Sequence, residues 1–239
     1  MSIWNPWKGC HRKSEGCKYC YIFRAREAKN INNDIVEKTE DFYKPLEKKK
    51  NGEYKIKSGS TVYLSFNSDF LVEEADNWRN EVWEIIRTRS DLSFIFLTKR
   101  IKRFMIGLPN DFFTSFDNVI VCCTIENQQR ADERLSILSK LPIKHKMIII
   151  QPMLEKIDIS KYLDDSIECV VVGGESGSDV RPLDYDWVID IQQQCIKANI
   201  SFEFRQVGSI FIMDGKVYKI QRQYLCAQAR KANINFTKI

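Results

Sequence analysis

Three cysteines lie close together near the start of the chain, at Cys10, Cys17 and Cys20. Their spacing is C-x6-C-x2-C, and thiolate sulfur is a strong ligand for both zinc and iron–sulfur clusters. A closed zinc site takes four ligands. His11 has the right chemistry for a fourth, but it adjoins Cys10, and adjacent residues rarely reach one ion without strain. A cluster of four irons normally takes four thiolates, so three thiolates would leave one iron open to a substrate or cofactor.

The other five cysteines have a simpler interpretation. Most of them lie in apolar surroundings, as in Val121-Cys122-Cys123 and Cys169-Val170-Val171, and the set comprises Cys122, Cys123, Cys169, Cys195 and Cys226. Unmodified cysteine behaves as a small buried hydrophobe. A secreted disulfide scaffold is not expected for a chain of this size that has no signal-peptide pattern.

The strands and helices that must position the three cysteines are predicted from residue 61 onward. Nearly continuous apolar runs predict six strands, most of them followed by a segment of helical periodicity. The predicted strands lie at 61–66, 93–97, 119–123, 146–150, 169–172 and 202–204. Apolar strands alternating with helices predict an α/β fold with a parallel sheet. Six such units suit a barrel or an open doubly wound sheet, and we predict a partial (β/α)6-type TIM-like barrel with the cysteine loop at its N-terminus.

Polar residues follow every predicted strand. They are Asn67-Ser68-Asp69, Thr98-Lys99-Arg100, Thr124 to Asn127, Gln151-Pro152, Gly173 to Gly177, and Arg205-Gln206. Ligands of parallel α/β folds bind at the carboxyl ends of the strands. We therefore predict one shared binding site built from these strand ends.

The amino-acid composition limits the classes of protein to which the chain can belong. Hydrophobic residues make up 44% and charged residues 29% of the 239 residues, which are globular proportions. No apolar run approaches the ~20 residues that span a bilayer, so we expect a cytoplasmic protein without membrane contact. We predict a single domain over 1–239, with the cysteine loop and a connector at 1–60, βα repeats at 61–206 and a C-terminal extension at 207–239.

Charge is unevenly distributed along the chain. Residues 1–60 hold 14 Lys and Arg against 8 Asp and Glu, and residues 200–239 hold 7 against 2, whereas the middle of the chain is acidic. Basic ends that share a face would attract nucleic acid, and solvated lysine loops such as Lys48-Lys49-Lys50 are the alternative explanation.

The motifs in this order resemble the radical S-adenosyl-L-methionine (SAM) superfamily. The similarity is to a phage and bacterial branch often encoded beside a three-Cys-motif partner protein. That branch has W-N-P-x-x-G-C, S-x-G-C-x-x-C-Y, L-T-K-R and G-G-E-S-G with a nearby R-P. The corresponding residues here are Trp4 to Cys10, Ser14 to Tyr21, Leu97 to Arg100, Gly173 to Gly177 and Arg181-Pro182. The chain departs from the branch at Arg205-Gln206, where Lys-Gln is usual, and guanidinium and ammonium are not interchangeable.

The resemblance implies that Cys10, Cys17 and Cys20 hold a 4Fe-4S cluster. It also implies that S-adenosyl-L-methionine binds the open iron and is cleaved to a 5′-deoxyadenosyl radical. Among the residues it implies for SAM binding, Tyr19 would lie near the adenine, Asp69 near the ammonium and Lys99 near the carboxylate. Glu126 and Asn127 would bind the ribose hydroxyls. The remaining members of that set are Asn67, Ser68, Gly173, Gly174, Glu175 and Arg205.

The resemblance and the basic ends together suggest a nucleic acid or nucleotide substrate. They also imply an electron donor such as flavodoxin or ferredoxin, and a three-Cys-motif partner protein. Two alternatives stay open. One is a zinc- or cluster-binding nucleic-acid module without SAM chemistry, and the other is an inactive relative that needs a partner for turnover. No Walker loop, G-x-G-x-x-G motif or general-base dyad is evident in the sequence.

Overall fold

Short strands and helices alternate throughout the computed structural model, which describes residues 2–239. The strands are β1 Ser2–Trp4, β2 Trp7–Lys8, β3 Glu37–Lys38, β4 Thr61–Leu64, β5 Ser93–Thr98, β6 Val119–Ile125, β7 His145–Ile150, β8 Ile167–Gly173, β9 Leu183–Asp184, β10 Ser201–Gln206, β11 Ile210–Met213 and β12 Lys216–Lys219. The α-helices are α1 Tyr21–Glu27, α2 Asp76–Thr88, α3 Phe112–Ser115, α4 Gln128–Leu138, α5 Tyr185–Lys197 and α6 Leu225–Ala232.

The main sheet has seven strands in the order β1-β4-β5-β6-β7-β8-β10. The pairs β1–β4, β4–β5, β7–β8 and β8–β10 are parallel. The order follows the chain without a reversal, as in a (β/α) barrel, whereas a doubly wound sheet reverses at a switch point. The predicted α/β class and parallel sheet are confirmed, and the strand order is that of a partial TIM-like fold.

The predicted six-unit repeat is not reproduced in detail. All six predicted strands form, but β1 adds a seventh at the edge by pairing Ser2–Trp4 with Val62–Leu64. Between β7 and β8 the chain forms only the 3-10 helix Ser160–Tyr162 instead of an α-helix. A three-residue strand is too short for periodicity to be visible in the sequence, which is why β1 was not predicted.

The contacts between Cα atoms group the chain into two compact units. The first comprises Met1–Lys13, Tyr21–Cys122 and Pro142–His145, and the second comprises Ser14–Cys20, Cys123–Leu141 and Lys146–Ile239. The domain bounds inferred from the sequence stay a prediction. Within residues 2–239, no helix combines the length and apolarity needed to cross a bilayer.

Aromatic packing forms the core of the first unit. Phe70 contacts the rings of Trp7, Trp83 and Phe96 at centroid separations of 5.5, 5.1 and 4.4 Å. The helical periodicity predicted for α2 is confirmed, because Val82, Trp83, Ile85 and Ile86 are buried. Trp4 and Trp7 are both fully buried core residues.

Apolar faces of helices and strands form the core of the second unit. The β8 residues Val170–Val172 are fully buried, and so are Val188, Ile191 and Cys195 of α5. Burial raises the pKa of the Cys195 thiol to about 12 and that of the Cys169 thiol to about 11, so both are neutral thiols at physiological pH. The predicted burial is confirmed for Cys122, Cys123 and Cys195, whereas Cys169 is only half-buried. The prediction is wrong for Cys226, since α6 presents that position to solvent.

Candidate functional site

The backbone around Cys10 is fixed within the first unit. Gly9 precedes it with φ +94°, and a Cβ atom there would lie 2.1 Å from the Ile35 carbonyl oxygen, so no other residue fits. The Cys10 amide donates to the Asn33 carbonyl at 2.9 Å. The Cys10 thiol therefore projects from a backbone whose conformation is closely restricted.

A buried arginine contacts the Cys10 sulfur. Arg100 Nη1 lies 3.9 Å from Cys10 Sγ and 3.3 Å from Asp69 Oδ2, and Arg100 Nη2 donates to the His11 carbonyl at 3.0 Å. A guanidinium beside a sulfur favours the thiolate, which is the form that binds metals. Arg100 is the last residue of the L-T-K-R motif, so that motif is joined directly to the first cysteine.

Asp69 organises the L-T-K-R motif. Its carboxylate accepts from Thr98 Oγ1 at 2.7 Å, from the Lys99 amide at 2.9 Å and from Arg100 Nη1 at 3.3 Å. The residue is only 6% exposed. Through these contacts Asp69 stabilises the L-T-K-R motif. Its role as a ligand of the SAM ammonium stays a prediction.

The neighbours of Asp69 also lie close to the Cys10 backbone. The hydroxyl of Ser68 donates to the Gly9 carbonyl, and the amide of Asn67 donates to Asn5 Oδ1 at 3.0 Å. Asn67 is exposed, and Ser68 and Lys99 are half-buried. The structure thus brings the predicted residues at 67–69 and at 99 together with Cys10 in one unit.

A buried ion pair holds the segment that carries the other two cysteines, within the second unit. Glu126 follows β6 and is fully buried, and its Oε2 accepts from Arg134 Nη1 at 2.8 Å. Its other oxygen accepts from the Ser14 hydroxyl and from the Gly16 amide. The predicted ribose ligand Glu126 therefore fixes the start of the Ser14–Cys20 segment.

Two further arginines bind the Ser14–Cys20 segment at Glu15. Arg130 donates to both oxygens of the Glu15 carboxylate at 2.9 and 3.1 Å, and Arg181 donates to its backbone carbonyl at 3.0 Å. The Arg130 hydrogen bonds lower the pKa of the Glu15 carboxyl to about 2. Glu15 is therefore ionised throughout the physiological pH range.

Tyr19 lies under a cation supplied by the R-P motif. The Arg181 guanidinium is 5.4 Å from the centroid of the Tyr19 ring, and Arg181 Nε donates to Glu175 Oε2 at 3.0 Å. A guanidinium at this distance from a ring centroid is attracted to the face of the ring. Glu175, predicted to bind SAM, thus also orients the arginine that covers Tyr19.

The remaining predicted residues occupy strand ends of the second unit. Asn127 caps α4 by accepting from the Arg130 amide at 2.9 Å. Arg205 is half-buried, and its guanidinium pairs with Glu203 at 3.1 Å. Gly173 ends β8, and Gly174 packs against the backbone of Gly208. Their predicted roles toward a ligand stay predictions.

We expect Gly174→Ala to destabilise the fold more than Gly173→Ala. A Cβ at 174 would lie 2.8 Å from Gly208 Cα and from the Val207 carbonyl oxygen, which are backbone atoms that cannot move aside. Overpacking of this kind costs about 1–3 kcal/mol. At 173 the nearest atoms, at 3.1 Å, belong to the flexible side chains of Gln151 and Gln206. Urea unfolding of both variants tests this, and equal losses would contradict it.

The donor set has the chemistry that an iron–sulfur cluster requires. None of the cysteines among residues 2–239 is in a disulfide, Cys10 and Cys17 are nearly buried, and Cys20 is half-buried. Cys10 belongs to the first unit, and Cys17 and Cys20 belong to the second. The described residues contain no group of three or more His, Cys, Asp or Glu that is arranged to hold a metal ion.

Sequence reasoning named Arg100 and Arg181 as motif residues but not their contacts, and it missed Arg134. Arg100, Arg134 and Arg181 all contact a cysteine segment or the carboxylate that anchors it. Arg134 lies on the buried face of α4 together with Ala131, Leu135 and Leu138. A charged residue on the otherwise apolar face of α4 was the available signal.

Fold and site define an α/β protein with a parallel sheet, in which charged strand-end residues anchor two cysteine-bearing segments. The family model described as "Protein of unknown function (DUF5131)" matches residues 1–233, so the chain belongs to this family. No curated protein and no solved structure matches the chain.

Proposed function

We propose that this protein is a radical SAM enzyme in which Cys10, Cys17 and Cys20 hold a 4Fe-4S cluster. One observation carries the proposal: in each unit, the cysteine-bearing segment is bonded to a charged residue that follows a strand of the main sheet. Arg100 after β5 contacts Cys10, and Glu126 after β6 binds Ser14 and Gly16. Strand ends are where parallel α/β proteins bind cofactors and substrates.

The chemistry would come from the cofactor, and the protein would supply binding and orientation. When bound, a reduced 4Fe-4S cluster with SAM supplies a 5′-deoxyadenosyl radical that abstracts hydrogen from the substrate. Arg100 favours the Cys10 thiolate, while Glu126 and Arg181 hold the Cys17 segment in one conformation.

We propose that SAM is bound by Tyr19 and by the predicted strand-end residues of both units. In the first unit we propose Asn67, Ser68, Asp69 and Lys99 for its methionine part. In the second unit we propose Tyr19 for the adenine, and Glu126 and Asn127 for the ribose. The other SAM-binding residues that we propose lie at the carboxyl ends of β8 and β10 and are Gly173, Gly174, Glu175 and Arg205. Because Asp69 and Glu126 are engaged in protein contacts, they would act on SAM mainly by positioning their neighbours.

We propose a nucleic acid or nucleotide as the substrate and a flavodoxin- or ferredoxin-type protein as the electron donor. A three-Cys-motif partner protein is proposed as an additional component. A radical that attacks a base needs an extruded or single-stranded nucleotide, because stacking buries the target atoms in a duplex.

We expect anaerobically reconstituted protein to form 5′-deoxyadenosine from SAM when dithionite is added. Liquid chromatography with mass spectrometry measures this product, with and without single-stranded DNA, and the nucleosides of the DNA are analysed in parallel. A control without dithionite should give none, because cleavage requires an electron. Colourless protein that carries one equivalent of zinc would contradict the proposal and favour the nucleic-acid module. Brown protein that gives no product even with the partner protein would contradict catalytic activity.

A further inference from the structure

The C-terminal part of the chain is unusually free of acidic side chains. Residues 215–239 contain no Asp or Glu, but they contain Lys216, Lys219, Arg222, Arg230, Lys231 and Lys238. The carboxylate nearest in sequence is Asp214, in the turn between β11 and β12. This stretch therefore carries a net positive charge that its own sequence does not offset.

The lysines and arginines of this stretch differ from those of the basic N-terminal region in how many form ion pairs. There, cations such as Lys8, Arg12 and Lys38 pair with Glu37, Glu27 and Glu81 at 2.9–3.2 Å. In the C-terminal stretch, Lys238 pairs with Asp165 at 3.6 Å. Across residues 2–239 the structure gives no ion-pair partner to Lys216, Lys219, Arg222, Arg230 or Lys231. Their charge is available to a partner molecule.

These cations lie on a well-anchored surface element, which we name the basic hairpin segment (residues 216–231). The strand β12 pairs with β11 through a turn at Asp214-Gly215, and the Ile220 amide donates to the Ser209 carbonyl at 2.9 Å. Leu225 and Ala229 of α6 are buried. The segment therefore presents its side chains from a defined backbone.

Exposed aromatic and apolar side chains lie between the cations. All four residues of β12 are exposed, and the strand forms an edge of the sheet β12-β11-β9. Because side chains alternate along a strand, Lys216 and Tyr218 lie on one face, and Val217 and Lys219 on the other. Tyr218 is 40% exposed and Tyr224 is 50% exposed. Exposed tyrosines beside cations offer stacking surfaces as well as charge.

We propose that the basic hairpin segment binds single-stranded nucleic acid. Lysine and arginine side chains without carboxylate partners suit a phosphate backbone, and exposed tyrosines suit unstacked bases, which a duplex does not present. Two acidic groups on neighbouring elements already have cationic partners: Glu203 pairs with Arg205, and Asp190 pairs with Lys156. The identification of the bound strand as a substrate rests on the proposed function, but the binding itself requires neither cluster nor SAM.

Fluorescence anisotropy with the full chain and 5′-fluorescein-labelled dT20 tests the proposal. We expect Lys216→Glu/Lys219→Glu to weaken binding about tenfold or more at roughly 100 mM salt. The slope of log K against log salt should fall by about 1.4, because each phosphate contact on a single strand contributes about 0.7. The matched control is Lys50→Glu/Lys57→Glu, which makes the same change in net charge at two exposed lysines outside the segment.

A second variant separates stacking from charge. Tyr218→Ala/Tyr224→Ala should weaken binding about fivefold or more for each base that stacks, while the salt slope stays unchanged. Circular dichroism and thermal unfolding verify that all three variants fold. Because binding is measured without cluster or SAM, failure of SAM cleavage leaves this result intact.

Three outcomes would overturn the proposal. Equal losses in the charge-reversal variant and its control would show that net charge alone is responsible. Tighter binding of a duplex of equal length would exclude a single-strand site. Absence of dT20 binding, together with binding to phosphatidylcholine–phosphatidylserine vesicles that Lys216→Glu/Lys219→Glu abolishes, would assign the segment to a membrane surface.

Discussion

Simultaneous replacement of Cys10, Cys17 and Cys20 by serine should abolish bound iron and the formation of 5′-deoxyadenosine. A serine hydroxyl stays protonated at neutral pH and is a poor ligand for iron, so three substitutions leave the cluster without its thiolates. We expect both bound iron and 5′-deoxyadenosine to fall below the detection limit. Iron and sulfide analysis and the visible spectrum of the anaerobically reconstituted protein measure it.

The matched control is Cys226→Ser, because Cys226 is exposed and lies outside the cysteine motif. It should retain the iron content and the spectrum of the wild type. Single replacements at Cys10 and at Cys17 should each lower iron content strongly, since each removes one of three ligands. Iron retention in the triple variant, or equal loss in Cys226→Ser, would refute the assignment of these ligands.

Glu126→Gln should lower the free energy of unfolding by about 3–5 kcal/mol, the cost of removing one partner of a buried ion pair. Arg134 is buried and would keep its charge beside a neutral amide, and the Ser14 hydroxyl and Gly16 amide would lose a charged acceptor. Urea unfolding followed by circular dichroism measures the change. Fluorescence of a probe on Cys17 should also report a looser segment.

Asp165→Asn is the control for this substitution, because it also exchanges a carboxylate for an amide of similar size. Asp165 is fully exposed in the second unit, so its urea midpoint should equal that of the wild type. A change in Glu126→Gln no larger than that in Asp165→Asn would show that the buried pair does not stabilise the fold.

The main elements could be predicted because each has a strong local signal. The strands β5 to β8 are apolar runs, and α2 has helical periodicity, so both are visible without tertiary information. The turn at Asp214-Gly215 follows from residues that tolerate positive φ, and both adopt it in the structure. The helix α6 was missed because its buried residues, Leu225 and Ala229, give only a weak pattern.

The candidate site could be predicted only in part. Sequence order shows that Asp69, Glu126 and Glu175 follow strands, but not which partners they contact. In the structure, Asp69 binds the L-T-K-R motif, and Glu126 and Glu175 pair with Arg134 and Arg181. A carboxylate intended for a ligand and one that anchors a loop look identical in sequence, because the difference lies in long-range contacts.

The grouping of residues 14–20 with residues 123–141 and 146–239 has a consequence for how the protein is made. Cys17 and Cys20 leave the ribosome long before Glu126, Arg134 and Arg181, which hold their segment in the finished chain. The segment therefore acquires its final conformation only after most of the polypeptide has been synthesised. A nascent chain that ends before residue 181 lacks one of these anchors, so the second and third thiols become ordered late in translation.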